Sequence, residues 1–213
     1  EYSLTPSSSL SLSAGWNNRS FNRTSDSKNH WYTDPFVKDS FYLENTASVD
    51  KVNRYNLNLD YQKNFDEKGH TLQASVYYAS GDGNESEENI VKTTDSNYNL
   101  LGEEPARTRS RIGEPESNLR LELDYTRPIG EGELEAGLQS RYDNSDGDYV
   151  YENYGTATNE WIPNDSISNE LKYRDALQSL YATYSGKLGK FEFQTGLRME
   201  YDDRNLTQLT SSE

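Results

Sequence analysis

The sequence has no cysteine, one methionine and two histidines. Without cysteine there is no disulfide framework, no thiolate metal site and no cysteine nucleophile. No apolar run approaches 18 residues. That excludes a helical membrane span but not a spanning strand, because alternating strands barely register in averaged hydropathy. Basic residues are scarce too: 21 Lys and Arg stand against 36 Asp and Glu, a net charge of −15. Such a balance argues against nucleic acid, whose phosphates demand cationic patches. Only 32% of the residues are hydrophobic, a share that alone would point toward disorder.

What is present opposes disorder. Seventeen tyrosines, six phenylalanines and three tryptophans suit strands with aromatic ends. Seven segments alternate apolar and polar side chains with period two. Their apolar rows are Leu10, Leu12, Ala14 and Trp16; Tyr55, Leu57, Leu59 and Tyr61; Leu72, Ala74, Val76 and Tyr78; Leu119, Leu121, Leu123 and Tyr125. Then follow Leu134, Ala136, Leu138 and Tyr142; Leu180, Ala182 and Tyr184; and Phe191, Phe193, Leu197, Met199 and Tyr201. The connections alternate in length. Residues 63–70, 127–133 and 185–190 are of hairpin length and rich in Gly or Pro, whereas 20–51, 81–116 and 143–171 read as long loops. Long loops are unusual in a compact soluble domain but belong to the outer side of a membrane barrel, opposite its short turns.

The aromatics sort by strand direction. Tyr61, Tyr125 and Tyr184 end rows that run toward short turns; Trp16, Tyr78, Tyr142 and Tyr201 end rows that run toward long loops. Two aromatic girdles around an apolar band are the lipid-facing pattern of an outer-membrane barrel. The opposite faces carry Asn56, Asn58 and Asp60; Arg120, Glu122 and Asp124; Glu135, Gln139 and Arg141; Glu192, Gln194, Arg198 and Glu200, suited to a hydrated or plugged lumen. The fold class expected is therefore all-β: an antiparallel up-and-down transmembrane β-barrel segment of about seven strands, in the bacterial outer membrane. Single-chain barrels normally have an even strand number from eight upward, so 1–213 reads as part of a wall, with no plug domain recognisable in it.

The segment LYATYSGKLGKFEFQTGLRMEY (180–201) resembles the C-terminal barrel segment of outer-membrane TonB-dependent receptors and related β-barrel proteins of Bacteroidota-type bacteria. The hairpin LRLELDYTRPIGEGELEAGLQSRY (119–142) looks like the preceding repeat of the same wall. The resemblance implies a wide barrel occluded by an N-terminal plug and uptake of an iron chelate, glycan or peptide. It also implies an inner-membrane energy-transducing complex as partner, besides the rest of the barrel and its plug. Membrane lipid and lipopolysaccharide would surround the wall. Two alternatives stand beside this reading: a non-transporting adhesin or scaffold of the cell surface, and a soluble, secreted carbohydrate-binding β-sandwich.

Catalysis has little support, and no cofactor is expected. His30 and His70 lie far apart in a long loop and a tight turn, and read as solvated. No nucleophile-elbow, zinc-protease or phosphate-loop motif occurs. The acidic stretches 81–89 and 143–153 lack the spacing of a calcium loop. Arg107, Arg109 and Arg111 alternate, so an extended backbone places three guanidinium groups on one side, suited to a carboxylate, phosphate or sugar acid. Otherwise they neutralise Glu103, Glu104, Glu114 and Glu116. Trp31, Tyr32, Phe36, Tyr154 and Trp161 are placed to stack on sugars or rings, or to pack loop against loop.

Overall fold

The computed structural model describes residues 2–34 and 37–210. They form nine strands: β1 (Tyr2–Thr5), β2 (Ser8–Asp34), β3 (Val37–Asn64), β4 (Thr71–Thr94), β5 (Ala106–Ile129), β6 (Gly132–Gly155), β7 (Glu160–Pro163), β8 (Asn169–Leu188) and β9 (Phe191–Thr210). All pair antiparallel in one sheet of order β1-β2-β3-β4-β5-β6-β8-β9, with β7 folded back on β6. The seven alternating segments are the seven long strands; β1 and β7, four residues each, raise the expected count to nine. Among the described residues β1 and β9 do not pair with each other, so the sheet is open.

Tight turns follow from glycine where the backbone needs it. β5–β6 and β8–β9 are joined by two residues, Gly130-Glu131 and Gly189-Lys190, with φ of 65° at each glycine. A positive φ at the first central position is the type II′ geometry that matches strand twist. The β3–β4 turn is closed instead by Asp66, whose carboxylate accepts the backbone N–H groups of Lys68 (2.8 Å) and His70 (3.2 Å). Those two bonds hold its pKa below the ordinary carboxylate value.

Cross-strand register turns separate rows into one surface. Leu12 faces Leu59, Leu59 faces Val76, and Val76 faces Leu121. One row below, Tyr61, Ala74, Leu123, Leu138, Leu180 and Met199 face one another in turn. The lower tyrosines keep level with the turns: Tyr61 stands three residues before the end of β3 at Asn64, Tyr125 and Tyr184 four before the ends of β5 at Ile129 and β8 at Leu188. At the other edge of the band Trp16 faces Tyr55 and donates its indole N–H to Asn53 Oδ1 (2.7 Å), on the side away from the turns.

This apolar face is uncovered. Leu197 is 85% exposed, Trp16 74% and Leu12 63%, and Phe41 is the one buried apolar residue among those described. Among the described residues no second sheet packs on it, as the soluble β-sandwich alternative would require. The residues that are buried on the opposite face are polar, including Ser179 and Asp175.

The segments expected as long loops are mostly strand. Residues 20–34 and 37–51 continue β2 and β3, and 81–116 and 143–171 are strand except at their tips. Strands of 24 residues reach roughly 80 Å, more than twice the ~9–11 residues that cross a bilayer. Their upper halves were invisible to hydropathy because both faces are polar. Cross-strand bonds such as Thr46 to Asn89 (2.6 Å) and Asn45 to Asp26 (2.7 Å) tie them instead. Of the tips, 95–105 is shaped by Asp95, which accepts from Asn99 Nδ2 (3.0 Å) and from the backbone N–H groups of Asn99 and Asn97. These bonds, the side-chain one foremost, lower its pKa.

Candidate functional site

On the polar face the register assembles a patch from residues far apart in sequence. Asn58, Tyr77, Arg120 and Arg141 face one another along one row; Asp60, Ser75, Glu122, Gln139 and Ser179 form the next. Between these rows and the upper wall lies an open groove of about 670 Å³, lined among others by Asn58, Tyr77, Asn118, Arg120, Glu122 and Tyr173. Arg54 pairs with Glu116 at its upper side. Arg141 binds Asp143 (2.9 Å) and Asp175 (3.1 Å), and Arg204 reaches the same Asp175 at 3.4 Å, so this buried carboxylate is neutralised from two strands. Nearer the turns, Tyr181 donates its hydroxyl to Asp124 across Gly137, the residue between them in the row. A Cβ on Gly137 would collide with the Tyr181 ring, so this position needs glycine for close approach.

The second assembly stands above, on the continuation of the apolar face. Arg107, Arg109 and Arg111 do share one side, as their alternation requires, facing Ile90, Glu88 and Ser86 across the β4 ladder. None of them is free. Arg107 binds Glu88 (2.6 Å), while Arg109 and Arg111 converge on the buried Glu152 at 2.7 and 3.1 Å. The Glu88 bond raises the Arg107 pKa. The neutralising partners are thus cross-strand, not the sequence neighbours Glu103, Glu104, Glu114 and Glu116; Glu116 is engaged by Arg54. Trp161, brought over by β7, lies under both Arg107 (5.4 Å) and Arg109 (4.5 Å) and packs edge-on to Tyr154 (5.2 Å). Tyr154 and Trp161 thus pack strand against strand, where β7 folds back on β6. Trp31 and Tyr32 are elsewhere, at the far end of β2: Trp31 donates to the Tyr42 hydroxyl (2.8 Å) and Tyr32 meets His30 edge-on (4.6 Å). Phe36 lies outside the described residues.

A single exposed apolar face backed by a charged one is the arrangement of a barrel wall, and a family comparison decides which kind. The profile of the outer membrane protein beta-barrel family matches residues 63–213, from the end of β3 onward. The chain belongs to that family. A bacterial outer-membrane location follows from it. No curated protein matches the chain.

Within this outer membrane beta-barrel protein the candidate arginines and the groove are on opposite faces of the wall. The groove was missed because its members come from β3, β4, β5, β6 and β8, and only the register brings them together. Alternation had placed Arg120 and Glu122 on the polar face, the one signal available. Of the two histidines, His30 is exposed, 3.5 Å from the Tyr98 hydroxyl, whereas His70 is half-buried, stacked on Phe65 (4.4 Å) with Nε2 2.9 Å from the Tyr125 hydroxyl. Among the described residues no cluster of His, Asp or Glu has the arrangement of a metal site.

Proposed function

We propose that this wall belongs to a nutrient receptor of the TonB-dependent kind, a non-enzymatic protein that binds and takes up an iron chelate, glycan or peptide. In this reading the apolar face meets lipid, with Tyr61, Tyr125 and Tyr184 at one interface and Trp16, Tyr78, Tyr142 and Tyr201 at the other. The long strands rise on the outer side among lipopolysaccharide. The polar face lines the lumen and abuts a plug, through which an inner-membrane complex supplies energy. The observation that carries the reading is the groove: a charged, aromatic-bearing concavity on the lumen face, in a wall whose opposite face is apolar. Pockets of about 300–1,000 Å³ with a few convergent polar groups are the size that holds small ligands.

The test is uptake of labelled iron chelates, glycans and peptides by cells with and without the full-length protein, before and after collapse of the proton gradient. Protein-dependent, gradient-dependent uptake of one class is expected. Equal uptake of all three by both strains refutes transport. A surface scaffold or adhesin is the second reading, favoured by strands that continue far past the membrane; it predicts lost adhesion with uptake unchanged.

A further inference from the structure

Same-face residues two apart along a strand regularly close into ion pairs in this wall. Arg141 binds Asp143 (2.9 Å), Lys172 binds Glu170 (2.8 Å), Arg198 binds Glu200 (2.7 Å) and Arg204 binds Asp202 (2.8 Å). Arg120 and Glu122 have the same spacing on β5 and do not pair. The Arg120 guanidinium lies over the Tyr77 ring instead, 5.9 Å from its centroid, and Glu122 has no cationic partner among the described residues. The groove thus holds one uncommitted cation and one uncommitted anion, about 7 Å apart along the strand.

Resting on the receptor reading, we propose that the groove is a subsite for a short peptide with both termini free. The peptide carboxylate pairs with Arg120 and its ammonium with Glu122. Extended peptides of two or three residues span about 7–10 Å, matching the separation of the two charges. Tyr77 holds the Arg120 guanidinium by its ring face and so orients it before the ligand arrives. A neutral glycan would leave both charges unmatched, and an anionic chelate would meet Glu122 as a like charge.

The experiment is calorimetric titration of the full-length protein in detergent with trialanine, N-acetyl-trialanine, trialanine amide and maltotriose. Trialanine is expected to bind, with capping of either end weakening it about tenfold or more, the effect of losing one charge-assisted contact. Arg120→Gln should weaken trialanine by a similar factor and leave the amide unchanged; Glu122→Gln should do the same and leave the acetyl form unchanged. Both side chains are exposed, and an unchanged circular dichroism spectrum separates lost contact from lost fold. Absent trialanine binding, equal affinity for capped and free forms, or tighter binding of maltotriose overturns the assignment. If uptake of another nutrient still depends on the protein in that case, the receptor reading stands and only the subsite falls. Trialanine binding with no protein-dependent uptake of anything supports the subsite and removes transport.

Discussion

The lower and upper halves of each long strand share one backbone and differ in everything attached to it. In β4, residues 71–80 place Leu72, Ala74, Val76 and Tyr78 on one face, whereas 81–94 begin Gly-Asp-Gly-Asn and expose polar groups on both. Yet the β3–β4 ladder runs from Asn64 opposite Thr71 to Phe41 opposite Thr94 without a register shift. The ladder satisfies its own N–H and C=O groups and is indifferent to solvent. Side chains alone decide where lipid ends. The halves are also stabilised differently: the lower by removal of apolar area from water into lipid, the upper by cross-strand bonds and ion pairs that are individually weak.

Arginine substitution gives the largest contrast. Leu121→Arg, in the middle of the apolar row, is expected to cost about 2–4 kcal/mol in urea unfolding of the full-length protein in vesicles, because the cation must leave water. Thr24→Arg, on the same face of the upper wall, should stay within about 0.5 kcal/mol. Similar costs at the two positions would break the comparison.

Glycine sharpens it. Gly137→Ala drives a methyl group into the Tyr181 ring and Asp124, for an expected loss of about 1–3 kcal/mol in the same assay. In the upper wall Gly113→Ala meets nothing nearer than Asn84 Oδ1 at 3.9 Å, so it should be neutral, or stabilising by about 0.4–1 kcal/mol through the unfolded chain.

Within the upper half, burial ranks the ion pairs. Glu152→Gln removes the negative charge shared by Arg109 and Arg111 and is expected to cost about 1–2 kcal/mol, less than a fully buried pair because Arg109 is a quarter exposed. Glu170→Gln, whose partner Lys172 stands in solvent, should give no measurable change at ordinary salt.

The smallest measurable effect is acid sensitivity. The Arg174 guanidinium bonded to Asp146 (2.6 Å) holds that carboxyl below its ordinary value. A lowered folded pKa contributes stability that is complete above the unfolded value of about 4 and is lost as pH falls through the lower, folded one. Amide protection factors in the upper parts of β6 and β8 should therefore fall below pH 4, and Asp146→Asn should flatten that dependence.

How much of this could be read from residues alone follows the same division. Leu, Ala and Tyr at period two located all seven long strands and the polar face, because lipid imposes a strict code on alternate positions. The upper wall imposes none. Thr46, Asn89, Asp26 and Asn45 look like loop residues until their partners are known, so 20–51, 81–116 and 143–171 read as loops. The arginine triplet shows the limit of local reasoning: its alternation was legible, but the partners, Glu88 and Glu152, lie on other strands. The groove failed for the same reason, being a property of register rather than of any one segment.

With Phe41 as the one buried apolar side chain among the described residues, the wall has no interior on which to collapse. In water the exposed Leu and Tyr rows would be presented to copies of the same chain, and self-association would compete with folding. Closing the hydrogen-bond ladder and entering the bilayer then become one event.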